Sequence, residues 1–416
     1  MASSHSVDVL VVGGGPVGGC AAALLARGGG QDAPRIVLLE PQRPELPERG
    51  AEPDLRVSAI SRASERILEA AGAWQAVVSH RVSPYERMRV WHADESPTSP
   101  GALTFDAAEV AEPNLGYIIE NRLVQAALLA AFEEGGGYVA AGTLVSMDVE
   151  RERVRVVTSC GVFDARLVVG ADGARSSVRE AAGIRAGTVD YEQSGLVAVV
   201  ATERSHERTA WQRFLGSGTL AFLPLADGTS SIVWSTAKEE VARLLAADAG
   251  TFTRALDEAS DAVLGRTQLR SQRQAFPLQR LSAERYVAER IALIGDAAHV
   301  VHPLAGQGVN LGLLDAACLA ETLRGAQAER EDVGALRVLR RYERWRKSEN
   351  ELMSAAIDAF NRFLAHGQGP LARIAQRGLG IVNRSQELKG LFIRRALGLT
   401  GELPEAARSP RLTPNA

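Results

Sequence analysis

Three glycines near the N-terminus have the spacing of a phosphate-binding turn. Gly13, Gly15 and Gly18 form a Gly-x-Gly-x-x-Gly motif. The first glycine permits a tight bend, the second lets a pyrophosphate approach the backbone, and the third allows a helix to pack closely on a strand. Pro16 falls in the first turn of the helix that follows, and the N-terminus of this helix directs free N–H groups and its positive dipole end toward the phosphates. We expect these glycines and Val17 to contact a nucleotide.

A carboxylate stands where such a turn needs a ribose ligand. Glu40 follows Gly18 by 22 residues and ends a predicted strand. A carboxylate at this place accepts hydrogen bonds from ribose hydroxyls and disfavours a bound 2′-phosphate. The alternative is a glycine-rich turn without a ligand, which the flanking strand and helix make less favoured. The turn by itself does not decide between FAD and NAD.

Two aspartates follow two further predicted strands. Asp172 lies in the segment Gly170-Ala-Asp-Gly173, and Asp296 follows the apolar strand 290–294. A carboxylate at the end of a buried strand is costly unless it binds something, and ribityl or ribose hydroxyls are suitable donors. The alternative for Asp172 is a role in shaping a turn only.

A glycine-rich loop after Asp296 runs into a long predicted helix, 308–323. A helix N-terminus favours negative charge, and a reduced flavin carries negative charge at one edge of its ring. The alternative is an ordinary loop that precedes a helix. The residues of this loop that we expect to contact the cofactor are Pro303, Gly306, Gln307, Gly308 and Asn310.

The elements around these motifs predict an α/β protein. Strands 7–12 and 35–40 flank a helix over 19–27, which is a β-α-β opening. Short alternating runs between 197 and 235 predict an antiparallel sheet. We expect a Rossmann-like FAD-binding domain interwoven with an antiparallel-sheet substrate domain and a helical C-terminus. The ranges are 1–79, 106–184 and 275–350 for the first, 80–105 and 185–274 for the second, and 351–416 for the third.

Composition excludes several classes of protein. The 416 residues carry a net charge of −3, with 46% hydrophobic and 23% charged residues, so no nucleic-acid partner is expected. Cys20, Cys160 and Cys318 lie far apart, which favours a reducing cytoplasm. No apolar run approaches the roughly 20 residues of a membrane span. No spacing of histidines and carboxylates predicts a metal site.

The motifs together resemble those of the flavoprotein aromatic hydroxylases of the para-hydroxybenzoate hydroxylase type. Within that superfamily, residues 7–408 look most like the ubiquinone-biosynthesis hydroxylases, in the 2-polyprenylphenol hydroxylase branch. The segments that carry this closer resemblance are Arg56–Ser64, Glu120–Arg122, Gln212–Phe214, Leu223–Leu225, Ser231–Trp234, His302–Gly312 and Arg395–Pro404.

The resemblance implies FAD as cofactor and assigns further roles. Glu40 would bind the adenosine ribose, Arg56 and Arg122 would approach the phosphates and ribityl chain, and Asp296 would bind the ribityl part. The alternatives are a solvated surface arginine for Arg56 and a salt-bridged helix terminus for Arg122. The implied reaction uses O2 and a C4a-hydroperoxyflavin to hydroxylate a polyprenylated phenol in ubiquinone biosynthesis, with ring carbon 5 as the best guess.

We expect the antiparallel sheet to form the substrate wall, through Phe214, Phe222, Leu223, Pro224 and Trp234. Plain core packing is the alternative for each of these five. The sequence has no second Gly-x-Gly-x-x-Gly at a strand–helix junction, so NAD(P)H or another electron donor would meet the flavin transiently. No general base can be assigned.

Other functions and partners stay open at this stage. The alternatives are hydroxylation of a soluble aromatic compound, a flavin reductase or dehydrogenase that never activates O2, and an FAD-holding assembly subunit. The basic stretch 337–347 is better interpreted as a solvated helix face than as a membrane-surface helix. A cytoplasmic protein with peripheral contact to the inner face of the membrane, a homo-oligomer, and contacts with other ubiquinone-biosynthesis proteins are compatible with the sequence.

Overall fold

A computed structural model describes residues 4–27, 34–48, 50–302, 306–360 and 386–409. The strands within these ranges are β1 Ser4–Val12, β2 Ile36–Leu39, β3 Val57–Ile60, β4 Ser83–Tyr85, β5 Arg87–His92, β6 Leu103–Asp106, β7 Gly116–Glu120, β8 Tyr138–Ala140, β9 Leu144–Val149, β10 Val154–Thr158, β11 Gly161–Gly170, β12 Ala186–Thr202, β13 Thr209–Phe214, β14 Thr219–Pro224, β15 Ser230–Ala237, β16 Thr267–Leu269, β17 Gln274–Ala283, β18 Val287–Ala288, β19 Ile291–Leu293 and β20 His299–Val300.

The helices complete the described chain. They are α1 Pro16–Ala26, α2 Arg62–Ala70, α3 Trp74–His80, α4 Asn121–Glu134, α5 Ser177–Ala181, α6 Lys238–Ala246, α7 Ala249–Ser260, α8 Gln307–Ala328, α9 Leu336–Phe360 and α10 Gln386–Ala396, with 3-10 turns at Ala107–Val110, Gly295–Ala297 and Glu405–Ala407. None of these helices is both long and apolar enough to cross a bilayer.

A largely parallel sheet forms the first layer. Its order is β18-β19-β11-β1-β2-β8, with β10 and β9 continuing from β11. The pairs of β1 with β2 and β11, and of β11 with β19, are all parallel. Strand β1 is valine-rich and its second half is buried, as expected of a strand covered on both faces. The carboxyl ends of these strands therefore meet at one edge, which we call the flavin edge.

A second, nine-stranded sheet has the order β20-β17-β12-β15-β14-β13-β5-β6, with β16 beside β12. One face, the outer face, packs on α6 and α7 through a cluster that includes Leu196, Ile232, Leu244 and Phe252. The opposite face, the inner face, meets a small sheet of β3, β7 and β4. This alternation follows from the two-residue period of a strand.

Most of the predicted elements are present, and the differences are informative. Strand β17 was not predicted, since its sequence alternates poorly, yet it pairs with β12 along ten residues of register. It lies in the range that the sequence assigned to the FAD-binding part, and so does β20, which pairs with β17. The predicted helical stretch over 361–385 and the predicted tail over 410–416 lie outside the described residues.

Candidate active site

The glycine turn at the flavin edge is close-packed on two sides and open on the third. A β-carbon at Gly13, where φ is +102°, would lie 2.4 Å from the Ala171 carbonyl oxygen. One at Gly18 would lie 1.9 Å from the Gly13 carbonyl oxygen. At Gly15, by contrast, nothing lies within 4 Å. The outer glycines are therefore required for packing, and the middle one leaves space for a ligand.

The Glu40 carboxylate supports the same turn. Its Oε2 accepts a hydrogen bond of 2.7 Å from the Gly14 N–H, and its Oε1 accepts one of 3.0 Å from the Gln42 N–H. Each oxygen has a further lone pair. The side chain thus fixes the bend after β1 and can still accept a hydroxyl.

The first of the two predicted aspartates, Asp172, has a hydrogen-bond partner for only one of its carboxylate oxygens. Asp172 Oδ2 accepts a hydrogen bond of 3.1 Å from the Val178 N–H, while Oδ1 is buried without a partner among the described residues. Sequence reasoning missed a neighbour, Arg179, which donates 2.8 Å hydrogen bonds to the carbonyls of Ala174 and Ala297. Arg179 therefore ties the Asp172 turn to the Asp296 turn, a contact across 118 residues that no local pattern could reveal.

Asp296 lies in a cleft. Its side chain is exposed to solvent, yet enough protein surrounds it that desolvation raises the pKa of its carboxyl, an effect that His299 and Arg56 partly offset. The Arg56 carbonyl accepts a hydrogen bond of 2.9 Å from the Asn121 N–H, which places Arg122 on the adjoining first turn of α4. The structure thus places the predicted Arg56 within electrostatic range of Asp296, and the backbone of Arg122 directly follows the Asn121 that bonds Arg56.

The N-terminus of α8 completes the flavin edge. Gly306 has φ +59°, and a β-carbon there would lie 3.2 Å from that of Ala59, whereas Gly308 faces open space. The free N–H groups of this first turn favour a negatively charged group. Gln307 belongs to the same turn, and Pro303 lies outside the described residues.

Two residues predicted to bind the cofactor have side chains that are engaged in contacts with other residues of the chain. Asn310 accepts hydrogen bonds from the Ser61 N–H and the Ser64 hydroxyl, and it donates to the carbonyls of Ala59 and Gly306. Its side chain therefore holds the loop, and only its backbone is left for a ligand.

Val17 is the second such residue, and its side chain is taken up by packing. A β-carbon at Gly312 would lie 2.5 Å from Val17 Cγ2, and one at Gly295 would lie 3.1 Å from Cγ1. The Val17 side chain consequently fills the gap between these two glycines.

The five predicted substrate residues divide between the two faces of the second sheet. Phe222 and Trp234 belong to the outer-face cluster with α6 and α7, so their prediction as substrate wall does not agree with the structure. Phe214 and Leu223 alternate with these positions and lie on the inner face. Pro224 is buried and, by alternation, shares the outer side.

The inner face also carries an aromatic ring that the sequence did not single out. Phe276 of the unpredicted β17 pairs with Gly195 and lies over it, since a β-carbon at Gly195 would be 2.9 Å from the ring. Only the pairing of β17 with β12 brings this ring to the site.

The geometry of the flavin edge is by itself compatible with a bound FAD. It has open space at Gly15 and Gly308, an unpartnered buried oxygen on Asp172, and a carboxylate on Asp296 with no hydrogen bond from any described residue. Phosphates, ribityl hydroxyls and a flavin ring supply the matching partners.

Comparison with known proteins agrees with this geometry. The family described as "FAD binding domain" matches residues 6–353. Ubiquinone hydroxylase UbiL of Rhodospirillum rubrum is 38% identical over 410 residues, covering 98% of this chain and 93% of that protein. The 3-demethoxyubiquinol 3-hydroxylase of Escherichia coli is 35% identical, covering 95% and 100%. The human ubiquinone biosynthesis monooxygenase COQ6 is 34% identical, covering 93% and 92%.

The chain belongs to the FAD-binding ubiquinone-hydroxylase family. It is an FAD-dependent monooxygenase, and the predicted family and cofactor are confirmed. The p-nitrophenol 4-monooxygenase PnpA of Pseudomonas putida superposes with a TM-score of 0.75 at 20% identity, covering 96% of this chain and 99% of that one, which supports the predicted fold.

A buried ionic network supports the flavin edge of this hydroxylase-family member. Asp315 of α8 accepts hydrogen bonds from the Gly295 N–H at 3.1 Å, from His299 Nε2 at 2.5 Å and from Arg346 Nε at 2.8 Å. Asn350 donates a further one of 3.0 Å to the same carboxylate. Burial alone would raise the pKa of the Asp315 carboxyl, but His299 and Arg346 outweigh it and lower that pKa.

Sequence reasoning did not assign a carboxylate partner to His299. The structure instead pairs it with a carboxylate 16 residues later. Asp315 and Arg346 gave no signal, because each lies singly within an otherwise ordinary helix. The network fixes the amide next to Asp296 and so positions that residue.

Proposed function

We propose that this hydroxylase-family member introduces a hydroxyl group into the aromatic ring of a polyprenylated phenol on the route to ubiquinone, with ring carbon 5 as the best candidate position. One observation carries the proposal: similarity over at least 93% of the chain to two proteins named as hydroxylases of ubiquinone or demethoxyubiquinol and to one named as a ubiquinone biosynthesis monooxygenase. Phenolic compounds and O2 are the reactants that this chemistry needs.

We propose the following cofactor contacts. The backbone around Gly13, Gly15 and Gly18 receives the pyrophosphate at the start of α1, and Glu40 accepts the adenosine ribose hydroxyls. Arg56 and Arg122 approach the phosphates and the ribityl chain. The remaining proposed contacts are those of Asp172, Asp296, Gly306, Gln307 and Gly308.

FAD supplies the redox chemistry when bound, and the chain's own residues orient it and exclude water. The α8 N-terminus would stabilise negative charge on the bound flavin ring. The Asp296 carboxylate would accept hydrogen bonds from ribityl hydroxyls. Phe214 and Leu223 give the substrate an apolar wall, and an apolar wall limits the access of water to the reacting groups.

The electron donor is proposed to be NAD(P)H, which meets the flavin transiently. The sequence contains one Gly-x-Gly-x-x-Gly turn at a strand–helix junction, and that turn serves FAD. Contact with a membrane surface and with other ubiquinone-biosynthesis proteins is proposed as the route by which an insoluble prenylated substrate arrives.

Deletion of the gene tests the function directly. Mass spectrometry of the extracted quinones should show a precursor that lacks one ring hydroxyl, and its structure identifies the carbon. Restoration by the wild-type gene, but not by a Gly15→Val allele, ties the loss to cofactor binding. Unchanged ubiquinone in the deletion strain would refute the proposal.

A purified enzyme test separates the alternatives. Incubation with NAD(P)H, O2 and either 2-(3-methylbut-2-enyl)phenol or para-hydroxybenzoate should give hydroxylated product from the prenylphenol. Product from para-hydroxybenzoate alone would favour a soluble substrate. Oxidation of NAD(P)H without any hydroxylated product would favour a reductase.

A further inference from the structure

A buried amide on the inner face lacks a partner. Gln212 of β13 is only 7% exposed, and its carboxamide makes no hydrogen bond to any residue that the structure describes. The carboxamide atoms are not among the fully buried, unpartnered ones, so they retain some access to solvent, and an amide with that access and no protein partner can hydrogen-bond a ligand.

The neighbours of Gln212 along the strand point the other way and are engaged. Trp211 packs against the outer-face cluster, and Arg213 donates hydrogen bonds to the carbonyls of Ala259 at 2.9 Å and Ala93 at 3.1 Å. The alternation of these contacts places the Gln212 side chain on the inner face, beside Phe214.

The surroundings of Gln212 on that face are apolar. Its paired residues on the adjoining strands are Ala221 and Val90. The next inner-face positions, Leu223 and Met88, are partly buried and pack against two apolar clusters on this face. A small-molecule site typically combines an apolar lining with a few polar groups that fix orientation.

The inner face also adjoins the flavin edge. Leu223 shares a cluster with Ala59, and Ala59 touches both the Gly306 turn and the Asn310 amide. Strand β17 of the same sheet pairs with β20, directly before the loop that leads to α8. An amide on this face therefore lies on the side of the sheet that adjoins the flavin edge.

We propose that the Gln212 carboxamide hydrogen-bonds the phenolic oxygen of the substrate and so determines which ring carbon is hydroxylated. Its oxygen accepts the phenol proton, and its NH2 group can donate to a second oxygen on the ring. This inference rests on the proposed function, because it assigns a protein partner to the phenol that the enzyme hydroxylates. Gln212 is thus a specificity-determining residue.

The test pairs one substitution with one change in the ligand. FAD-loaded wild type and Gln212→Met are titrated with 2-(3-methylbut-2-enyl)phenol and with its methyl ether, and the visible absorption of the flavin reports binding. Wild type should bind the phenol about five- to tenfold more tightly than the ether, which cannot donate a proton. Gln212→Met should bring this ratio to about one, chiefly through weaker phenol binding.

Two controls separate a specific contact from a general effect. Ser230→Ala removes a buried, unpartnered hydroxyl from the same sheet but on the outer face, and it should keep the wild-type ratio of phenol to ether affinity. Gln212→Met should also leave the melting temperature close to that of wild type, because the carboxamide makes no hydrogen bond to a described residue that the substitution would remove. A fall of several degrees would show a structural role and overturn the inference.

The outcomes also separate the inference from the function. If wild type hydroxylates the prenylphenol and Gln212→Met keeps both its phenol-to-ether ratio and its product distribution, the inference fails and the function stands. If wild type binds neither compound and forms no product, both fail.

Discussion

The flavin edge and the inner face use different parts of the chain to make a site. At the flavin edge, ligand space is shaped by backbone: open positions at Gly15 and Gly308, close-packed ones at Gly13 and Gly18, and a helix terminus. On the inner face, Gln212, Phe214 and Leu223 act through side chains that alternate with outer-face residues. A backbone site can be predicted from residue type and spacing, whereas a side-chain site on a strand depends on register.

The contrast has a physical origin. A glycine at a given point of a turn is demanded by distances that no other residue can meet, so its presence carries information by itself. An aromatic residue in a strand can pack in the core or line a ligand site. A shift of the strand by one residue moves its side chain from one of these environments to the other. The following predictions test this difference, beginning with the largest expected effect.

Asp315→Asn should give the largest loss. It leaves Arg346 buried without a full charge partner and weakens the contacts to Gly295 and His299, so we expect about 3–5 kcal/mol less stability. Urea unfolding at pH 7 measures this. Asp332→Asn, which weakens the more exposed pair with Arg290, is the matched control and should cost less. Equal losses of stability in the two variants would show that the buried network stabilises the fold no more than the exposed ion pair does.

The same network predicts a pH dependence. The folded protein lowers the pKa of Asp315 below the value of about 3.9 expected in the unfolded chain. The stabilisation is therefore fully present above about pH 4 and is lost as the pH falls toward the folded pKa. The stability gap between wild type and Asp315→Asn should narrow below about pH 4, and a gap that widens there would contradict this assignment.

Phe222→Ala tests the division between the two faces. Removal of a fully buried ring from the outer-face cluster should cost about 3 kcal/mol of stability while the affinity for a prenylphenol stays close to that of wild type. Phe214→Ala, its inner-face counterpart, should weaken that affinity. Thermal unfolding and flavin absorbance titration measure the two quantities. The division fails if Phe222→Ala weakens ligand binding as much as Phe214→Ala does.

Gly15→Val tests whether the open space at Gly15 serves a ligand and not the packing of the chain. The β-carbon meets no atom within 4 Å, so the chain should fold with nearly wild-type stability. The affinity for FAD should nevertheless fall at least about a hundredfold, equivalent to ~2.7 kcal/mol. Quenching of FAD fluorescence by apoprotein measures it. Gly187→Val, at another open position outside the turn, should bind FAD normally; FAD binding by Gly15→Val at wild-type strength would locate the pyrophosphate elsewhere.

Glu40→Gln should have the smallest effect. The amide oxygen can still accept a backbone N–H, so the turn should persist, while the missing charge weakens the contact with the ribose. We expect about tenfold weaker FAD binding, or ~1.4 kcal/mol. Glu133→Gln, which removes a surface carboxylate paired with Arg43, should leave FAD binding unchanged. No difference between these two variants would argue against a ribose contact.

Much of the flavin edge could be predicted from sequence because its motifs are local. The strand ends before Gly13, Asp172 and Asp296 were all placed correctly by runs of buried apolar residues. Arg179 and Asp315 could not be predicted, since their partners lie 118 and 16 residues away and only the folded chain brings them together.

The inner face was harder to predict for a related reason. Strand β17 lacks a clear alternation, so its pairing with β12 and the position of Phe276 were not predicted. Because β17 was not predicted, its pairing with β20 was not predicted either. Phe222 and Trp234 were assigned to the substrate wall because aromatic character alone does not indicate a face.

The side chain of Val17 has a consequence for the engineering of this protein. It is wedged between Gly295 and Gly312, so three segments far apart in sequence share one small volume. A bulkier residue at any of the three would push the other two apart. A designer who wishes to transplant this cofactor cradle into a new scaffold must therefore move all three segments together, as a single interlocked unit.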